Sequence, residues 1–480
     1  MLAGLCFDLF RGTGLSGLGS KNAAFAAGPR APRRWGALRI RSLAAGLLLL
    51  AGLMLWAAPA AALPSFAQQT GEPCSQCHVG AYGPQLKPYG RDFKLFGYVN
   101  GDTKNTAPPI AAIVASSFTE TAVDRPPPPH YSANNNFAVT SVLLAYAGKI
   151  AGGVGTFAEM TYDSVRDKYA VSRVDVRRAF IGEVAGKDVV YGVDVNNRPG
   201  LDDLWNSTPV FEFSTFTSQF AASPANATLI DGKLSGRVAG VGGFAMWDGQ
   251  LFTEFQAYGQ LDRNLLNRAG MPTPATADRY DGTIPYWRVA LQHDFSDTHY
   301  VEVGTYGLRA KRFPGDVQTA GADTITDTGL DATYQYTGSK RHFLATHATW
   351  IHEFDRLDAA HVVARTASRD HMDVLRADAI YSFDNTWTPA VELFHTTGSS
   401  DARFFKTPNG SPNTDGYVLE LAFTPWGKKD SPVRWANFRL NARYVGYTRF
   451  NGKTTGASDN NTFLVGATAA FAPFGALVKR

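Results

Sequence analysis

From Ile110 onward, apolar and polar side chains alternate residue by residue, and this pattern constrains the fold more than any other feature of the chain. A strand sends successive side chains to opposite faces, so alternation makes one apolar and one polar face. Glu254 and Gln256 oppose Leu251, Phe255 and Ala257. Arg288, Gln292 and Asp294 oppose Val289, Leu291 and Phe295. Glu420 and Thr424 oppose Tyr417, Leu419, Leu421 and Phe423, and Asn437, Arg439, Asn441 and Arg443 oppose Phe438, Leu440, Ala442 and Tyr444. Over Lys233–Trp247 the same parity sets Lys233, Ser235 and Arg237 against Leu234, Val238, Phe244 and Met246.

A soluble β-sandwich alternates too, so length and connectivity must decide. The alternating runs often reach about ten to fifteen residues, beyond the five to six typical of soluble sheets. Sixteen strands are expected, starting near residues 110, 136, 152, 173, 187, 233, 250, 285, 299, 327, 341, 371, 386, 415, 434 and 461. Short links fall at Lys149–Gly152, Ala185–Gly186, Asp248–Gly249, Ser296–Thr298, Gly338–Lys340 and Asp384–Asn385. Long links fall at 121–135, 198–232, 261–284, 312–326, 356–370, 399–414 and 450–460. The link Trp426–Val433 is longer than a tight turn but belongs to the short-turn side. An even number of long strands joined alternately by tight turns and long loops is the pattern of an outer-membrane barrel. The expected fold is therefore all-β: a 16-stranded antiparallel transmembrane β-barrel over residues 110–480. Its apolar face meets outer-membrane lipid, and its charged face lines the lumen.

The stretch ahead of the barrel carries an export signal. Leu43 to Trp56 is a run of fourteen apolar residues, shorter than the twenty or so that span a bilayer. Arg30, Arg33, Arg34, Arg39 and Arg41 precede it, and Ala60 and Ala62 supply an A-x-A site. Together they describe a secretory signal peptide over residues 1–62, with cleavage after Ala62. The pair Arg33-Arg34 offers a weaker match to a twin-arginine signal. Residues 1–62 hold seven of the 46 basic and one of the 42 acidic residues, so the remainder carries 39 against 41, a net charge of −2. No basic tract is left for nucleic acid.

Of three cysteines, Cys6 leaves with the leader and Cys74 and Cys77 remain. They read Cys74-Ser75-Gln76-Cys77-His78, the C-x-x-C-H signature of covalent c-type haem attachment. Two thiols at this spacing reach the two vinyl groups of one haem, and the adjacent imidazole becomes the proximal iron ligand. A thioredoxin-like pair would need a βαβ setting, and a zinc site would need further Cys or His, which residues 79–129 lack. The distal ligand is open, because no Met or His follows His78 until His130. His347, with Thr349 and Glu353, and Met372, with Arg376 and Asp378, fall on lumen faces and are weak candidates. Parity turns Met160 and Met246 towards lipid. His352, His361 and His371 lack metal-ligand spacing. Residues 63–109 are too few for a core of their own, so this monohaem segment is expected to plug the barrel. Leu86, Tyr89, Phe93, Leu95 and Phe96 are candidates to cover the haem, while Arg91 or Lys94 would pair with a haem propionate or with a lumen carboxylate such as Glu159.

The run Pro64 to Tyr98, followed by a barrel-length strand ladder, resembles the outer-membrane fused monohaem cytochrome–porins, best known as iron(II) oxidases. The resemblance rests on Pro64, Phe66, Cys74, Cys77, His78, Pro84, Leu86, Gly90, Arg91, Phe93 and Gly97. It implies one-electron transfer from an extracellular donor, Fe²⁺ or another small reductant, through one haem c to a periplasmic c-type cytochrome or similar carrier. Catalytic side chains are not required, because the haem carries the redox chemistry. Asp202 and Asp203, in the long third outer loop, are candidate attractors of Fe²⁺, although ordinary loop acids are the simpler reading. Two further readings stay open: a diffusion porin with a structural haem, and the same conduit serving a donor or acceptor other than iron.

Overall fold

The computed structural model describes residues 64–472, except 102–107, 208–217, 272, 273, 275, 340 and 432–435. The leader expected at 1–62 lies outside the described residues.

Strands β1 Ile110–Thr121, β2 Asn136–Ala151, β3 Val154–Asp163, β4 Lys168–Val184, β5 Lys187–Asn196, β6 Val238–Trp247 and β7 Leu251–Gln260 form the first part of the wall. The next strand, β8, comes in two pieces, Arg279–Asp281 and Ile284–Ser296, both paired along β9 His299–Phe313. Then follow β10 Asp323–Tyr336, β11 His342–Arg356, β12 Arg369–Phe383, β13 Trp387–Gly398, β14 Thr414–Phe423, β15 Ala436–Arg449 and β16 Thr462–Phe471. Every strand pairs antiparallel with its sequence neighbours, and β1 pairs with β16 from Ala112↔Phe471 to Thr121↔Thr462. The sheet therefore closes into a 16-stranded antiparallel barrel with no free edge.

Turn chemistry explains the short-turn end. Two-residue hairpin links need a positive φ at both central positions. Gly152-Gly153 and Ala185-Gly186 supply it, and Asp384 and Asn385 do the same within a three-residue link. At the long-loop end one link is short: β4 starts at Lys168, five residues before the expected start, leaving Ser164–Asp167. The Asp163 carboxylate caps this turn by accepting from the amides of Val165 and Arg166.

The wall's outward face carries an apolar band, with Val241, Phe255, Leu291, Leu330, Leu393 and Leu419 all exposed. Exposed aromatics flank it at both ends: Trp247, Phe295 and Trp387 near the short turns, Tyr162, Tyr169 and Phe354 near the long loops. That surface is what a bilayer demands of a barrel. No described helix is long and apolar enough to cross a membrane.

The inward face follows parity except at β6. Phe244 and Met246 point into the lumen, not to lipid. The register shows why: Phe244 sits opposite Glu254, and Met246 opposite Phe252, and opposed residues share a face. Alternation yields two faces without saying which lies inside, and here the lumen itself offers apolar partners: Leu95, Leu204 and Trp205. Met160 does face outward. β6 begins at Val238 instead of 233 because residues 229–234 turn into the lumen, burying Leu229, Ile230 and Leu234.

A candidate haem attachment site inside the barrel

The segment ahead of β1 folds into three short helices, α1 Pro64–Thr70, α2 Cys74–Cys77 and α3 Pro88–Leu95. Pro73 precedes α2 in an extended conformation, and Pro88 starts α3 where its missing N–H costs nothing. One helical turn puts Cys74 and Cys77, three residues apart, on a single face. Neither thiol is in a disulfide. His78 leaves the turn extended and bridges to Leu86. The Lys87 amide donates to the Cys77 carbonyl at 2.8 Å. Gly90 makes this closeness possible, because a Cβ there would lie 2.5 Å from the Cys77 oxygen.

Burial sets the electrostatics. It pushes the Cys77 thiol up to about 12, with the Cys74 thiol adding to the effect. It pushes the His78 imidazole down to about 4 and leaves Nδ1 buried without a hydrogen-bond partner. Lys87, lowered by burial to about 8, donates from Nζ to the Ser75 carbonyl at 2.8 Å and to Asn385 Oδ1 at 2.9 Å. Its ammonium also lies 4.8 Å from the Phe343 ring centre. Arg91 donates to the Leu86 carbonyl and to Gln335 Oε1, and its guanidinium stacks 4.0 Å from the Tyr300 ring centre. Neither cation has a carboxylate within ion-pair reach among the described residues. Glu159, the expected partner for Arg91 or Lys94, lies 3.5 Å from Arg173. Lys87 escaped the sequence reading, although it is the cation nearest to His78 in the chain.

The segment sits in the lumen at the short-turn end. The Ser75 amide donates to the Gly427 carbonyl, Asn437 Nδ2 to the Ala81 carbonyl, and the Lys149 amide to Gln69 Oε1. Val79 packs on Phe343, Ala345, Ile380 and Val418. Deeper in, Tyr98 donates to Asp175 at 2.7 Å, and Phe66 packs on Phe93, Tyr98 and Phe157. Leu95 joins Phe244, Met246 and Phe252, so Phe93 and Leu95 face other packing partners than the cysteine turn.

The long link between β5 and β6 closes over the segment from the other side. Lys94 Nζ donates to the Asp203 carbonyl and to Asn206 Oδ1, and Asn206 Nδ2 donates to the Pro84 carbonyl. Burial holds the Lys94 ammonium down to about 8, with Arg177 adding repulsion. Asp202 and Asp203 are therefore not loop acids in water. Each is 1% exposed, Asp202 paired with Arg177 at 2.5 Å and Asp203 with Arg288 at 2.9 Å. Desolvation raises the Asp202 carboxyl well above the usual range.

The two distal candidates lie at different heights. His347 is inward on β11, two residues beyond the Ala345 that packs on Val79, and its Nδ1 is 2.7 Å from Asp378. Met372 is buried in the apolar cluster of Leu229, Ile230, Ile351 and Phe405 on the long-loop side. His352 and His371 stack on each other away from both, and His361 bonds the Thr366 carbonyl in a loop.

No protein-family model matches the chain, and no curated protein matches it. Among solved structures it is similar to the outer-membrane channel DcaP of Acinetobacter baumannii, with TM-score 0.42, 10% identity, and 75% of this chain and 96% of that one covered. It is also similar to in-vitro folded OmpT, an outer-membrane protein of Vibrio cholerae, with TM-score 0.38, 10% identity, and coverage of 75% and 96%. A porin refined at 1.8 Å resolution gives TM-score 0.36, 10% identity, and coverage of 75% and 99%.

Proposed function

We propose that this chain is an outer-membrane barrel that binds one haem c covalently and passes single electrons between an extracellular donor and a periplasmic carrier. The apolar band and its aromatic girdles support the membrane part. The observation that carries the cofactor part is charge. Arg91 is buried and Lys87 half-buried beside the cysteine turn, each with hydrogen bonds but, among the described residues, no carboxylate within ion-pair reach. An uncompensated buried cation is costly, and the two propionates of a haem are the counter-charges that would relieve both. The two thiols on one face of α2, in no disulfide, suit two thioether links, and a His78 whose desolvation favours the neutral imidazole suits iron ligation.

In this reading Cys74 and Cys77 would fix the group, His78 would ligate its iron, and Lys87 and Arg91 would hold its propionates. Haem c bound there would supply reversible one-electron exchange, with a potential tuned by axial ligands and nearby charge. The inward link around Asp202–Asn206 keeps water away from its outer side. Of the two distal candidates, His347 is the better placed, since its strand neighbour Ala345 already touches Val79. A site within the lumen shortens both electron hops across a band about 25 Å tall. The donor we favour is Fe²⁺, with other small reductants as alternatives. Stopped-flow reduction of the haem by Fe²⁺ in proteoliposomes tests this; a fully loaded protein that Fe²⁺ leaves oxidised overturns iron as donor.

The second reading is a diffusion porin with a structural haem, and the barrel wall by itself supports it more directly than it supports a conduit. Planar-bilayer conductance separates the two. A lumen closed by residues 64–101 and by the β5–β6 link conducts poorly, whereas porin-sized currents from the intact chain favour the porin.

A further inference from the structure

We propose that Asp175, Asp194 and Asp202, with Glu254 beside them, hold a hard divalent cation inside the barrel, on the outer side of the cysteine-turn segment. The three aspartates come from different places: β4, β5 and the inward β5–β6 link. Their carboxylate oxygens nevertheless lie within 4.8 Å of one another, and all three residues are buried. Ligand oxygens around Mg²⁺, Mn²⁺, Fe²⁺ or Ca²⁺, each about 2.0–2.6 Å from the ion, span such distances.

Proximity of acids alone would not make a site; Glu254 supplies the independent observation. It is 4% exposed, and neither of its carboxylate oxygens has a hydrogen-bond partner. It sits on the inward face of β7, two residues from Gln256. Gln256 Nε2 bridges Asp194 at 2.6 Å and Asp202 at 2.7 Å, so the Glu254 carboxylate borders the same cluster. Asp194 is the charged group that bears most strongly on it. A buried carboxylate with both oxygens idle is too costly to stand by itself.

The charge balance makes the same point. Among the described residues, Arg177 is the cation that pairs with these acids, touching Asp175 and Asp202. Lys94 lies nearby but spends its hydrogen bonds on Asp203 and Asn206. Arg288 is engaged by Asp203, Glu302 and Asp331. Seven buried carboxylates thus share three buried cations. All-oxygen donors of this kind select hard divalent ions over soft ones.

The site stands independently of the electron-transfer reading, and its test needs no turnover. Full-length, haem-loaded protein in detergent is stripped with a chelator and titrated with Mn²⁺ alone, free Mn²⁺ being read by electron paramagnetic resonance. We expect one Mn²⁺ per chain, weakened tenfold or more in Glu254→Gln and in Asp194→Asn. Asp373→Asn, which removes an acid on the outward face, leaves binding unchanged. Heat-modifiable migration on gels verifies that each variant is a closed barrel. If the stripped wild type takes up no Mn²⁺, protons balance the acids and the proposal falls, whatever the variants do. Equal Mn²⁺ affinity in wild type and both lumen variants also overturns it. Competition then separates two sources of the ion: displacement by Ca²⁺ marks a resident structural metal, and displacement by anaerobic Fe²⁺ without Ca²⁺ competition marks the extracellular metal itself.

Discussion

Two buried regions of this barrel are out of charge balance in opposite senses. Around the cysteine turn, Lys87 and Arg91 have no carboxylate within ion-pair reach among the described residues. One layer further in, the acids around Arg177 and Arg288 outnumber their cations. Both regions lie inside the wall, where charge is screened less than at a surface. The contrast matches the two proposals: an anionic group at the short-turn end and a cation deeper in the lumen would each offset the local imbalance.

The contrast breaks most completely if the cysteine turn binds nothing. Replacing Cys74 and Cys77 together with Ser abolishes covalent haem, read as loss of the haem stain on denaturing gels, while the barrel still shows heat-modifiable migration. A retained stain ends the haem assignment. Next in size is a matched pair of arginine variants in that haem-free background. Arg177→Met strands Asp175 and Asp202 and costs about 3–5 kcal/mol in denaturant unfolding. Arg91→Met removes a cation that lacks a counter-charge and costs far less, so equal losses would erase the distinction between the regions.

Acid provides the third comparison, again without haem. The folded His78 titrates near 4 instead of the usual 6.5, so between those values the unfolded segment binds more protons than the folded one. Stability is complete above about pH 6.5 and declines as pH falls towards 4, by up to about 3 kcal/mol. Protease cleavage within residues 64–101 follows that window; a flat profile contradicts a buried neutral imidazole. The smallest effect is in the loaded protein. Arg91→Gln removes positive charge beside the propionates, favours the oxidised form, and lowers the midpoint potential on the order of 60 mV, a tenfold change for one electron. Redox titration reads it, and an unchanged potential puts Arg91 outside the haem's field.

Most of the wall was legible in the sequence because strand alternation and turn residues are local. The starts expected at 110, 136, 187, 299 and 386 fall within a residue of those observed. The C-x-x-C-H spacing of Cys74, Cys77 and His78 is likewise local, and the structure adds that one helical turn carries both thiols. What escaped depends on contacts between distant segments. Asp202 and Asp203 look like solvent-facing loop acids until Arg177 and Arg288 are brought to them from β4 and β8. Phe244 and Met246 look like lipid-facing residues because a lumen is assumed polar, and this one is partly lined by Leu95 and Trp205. Lys87 acquires meaning only from the absence of an acid near it.

The tight fit of Gly90 against Cys77 bears on the order of assembly. Once α3 has closed on the turn, Cys74 is 9% exposed and the Cys77 thiol is held far from its reactive thiolate form. On the proposed haem c reading, an attaching enzyme would need both sulfurs before α3 closes on the turn, so thioether formation would precede docking. The barrel would then receive an insert that already carries its cofactor.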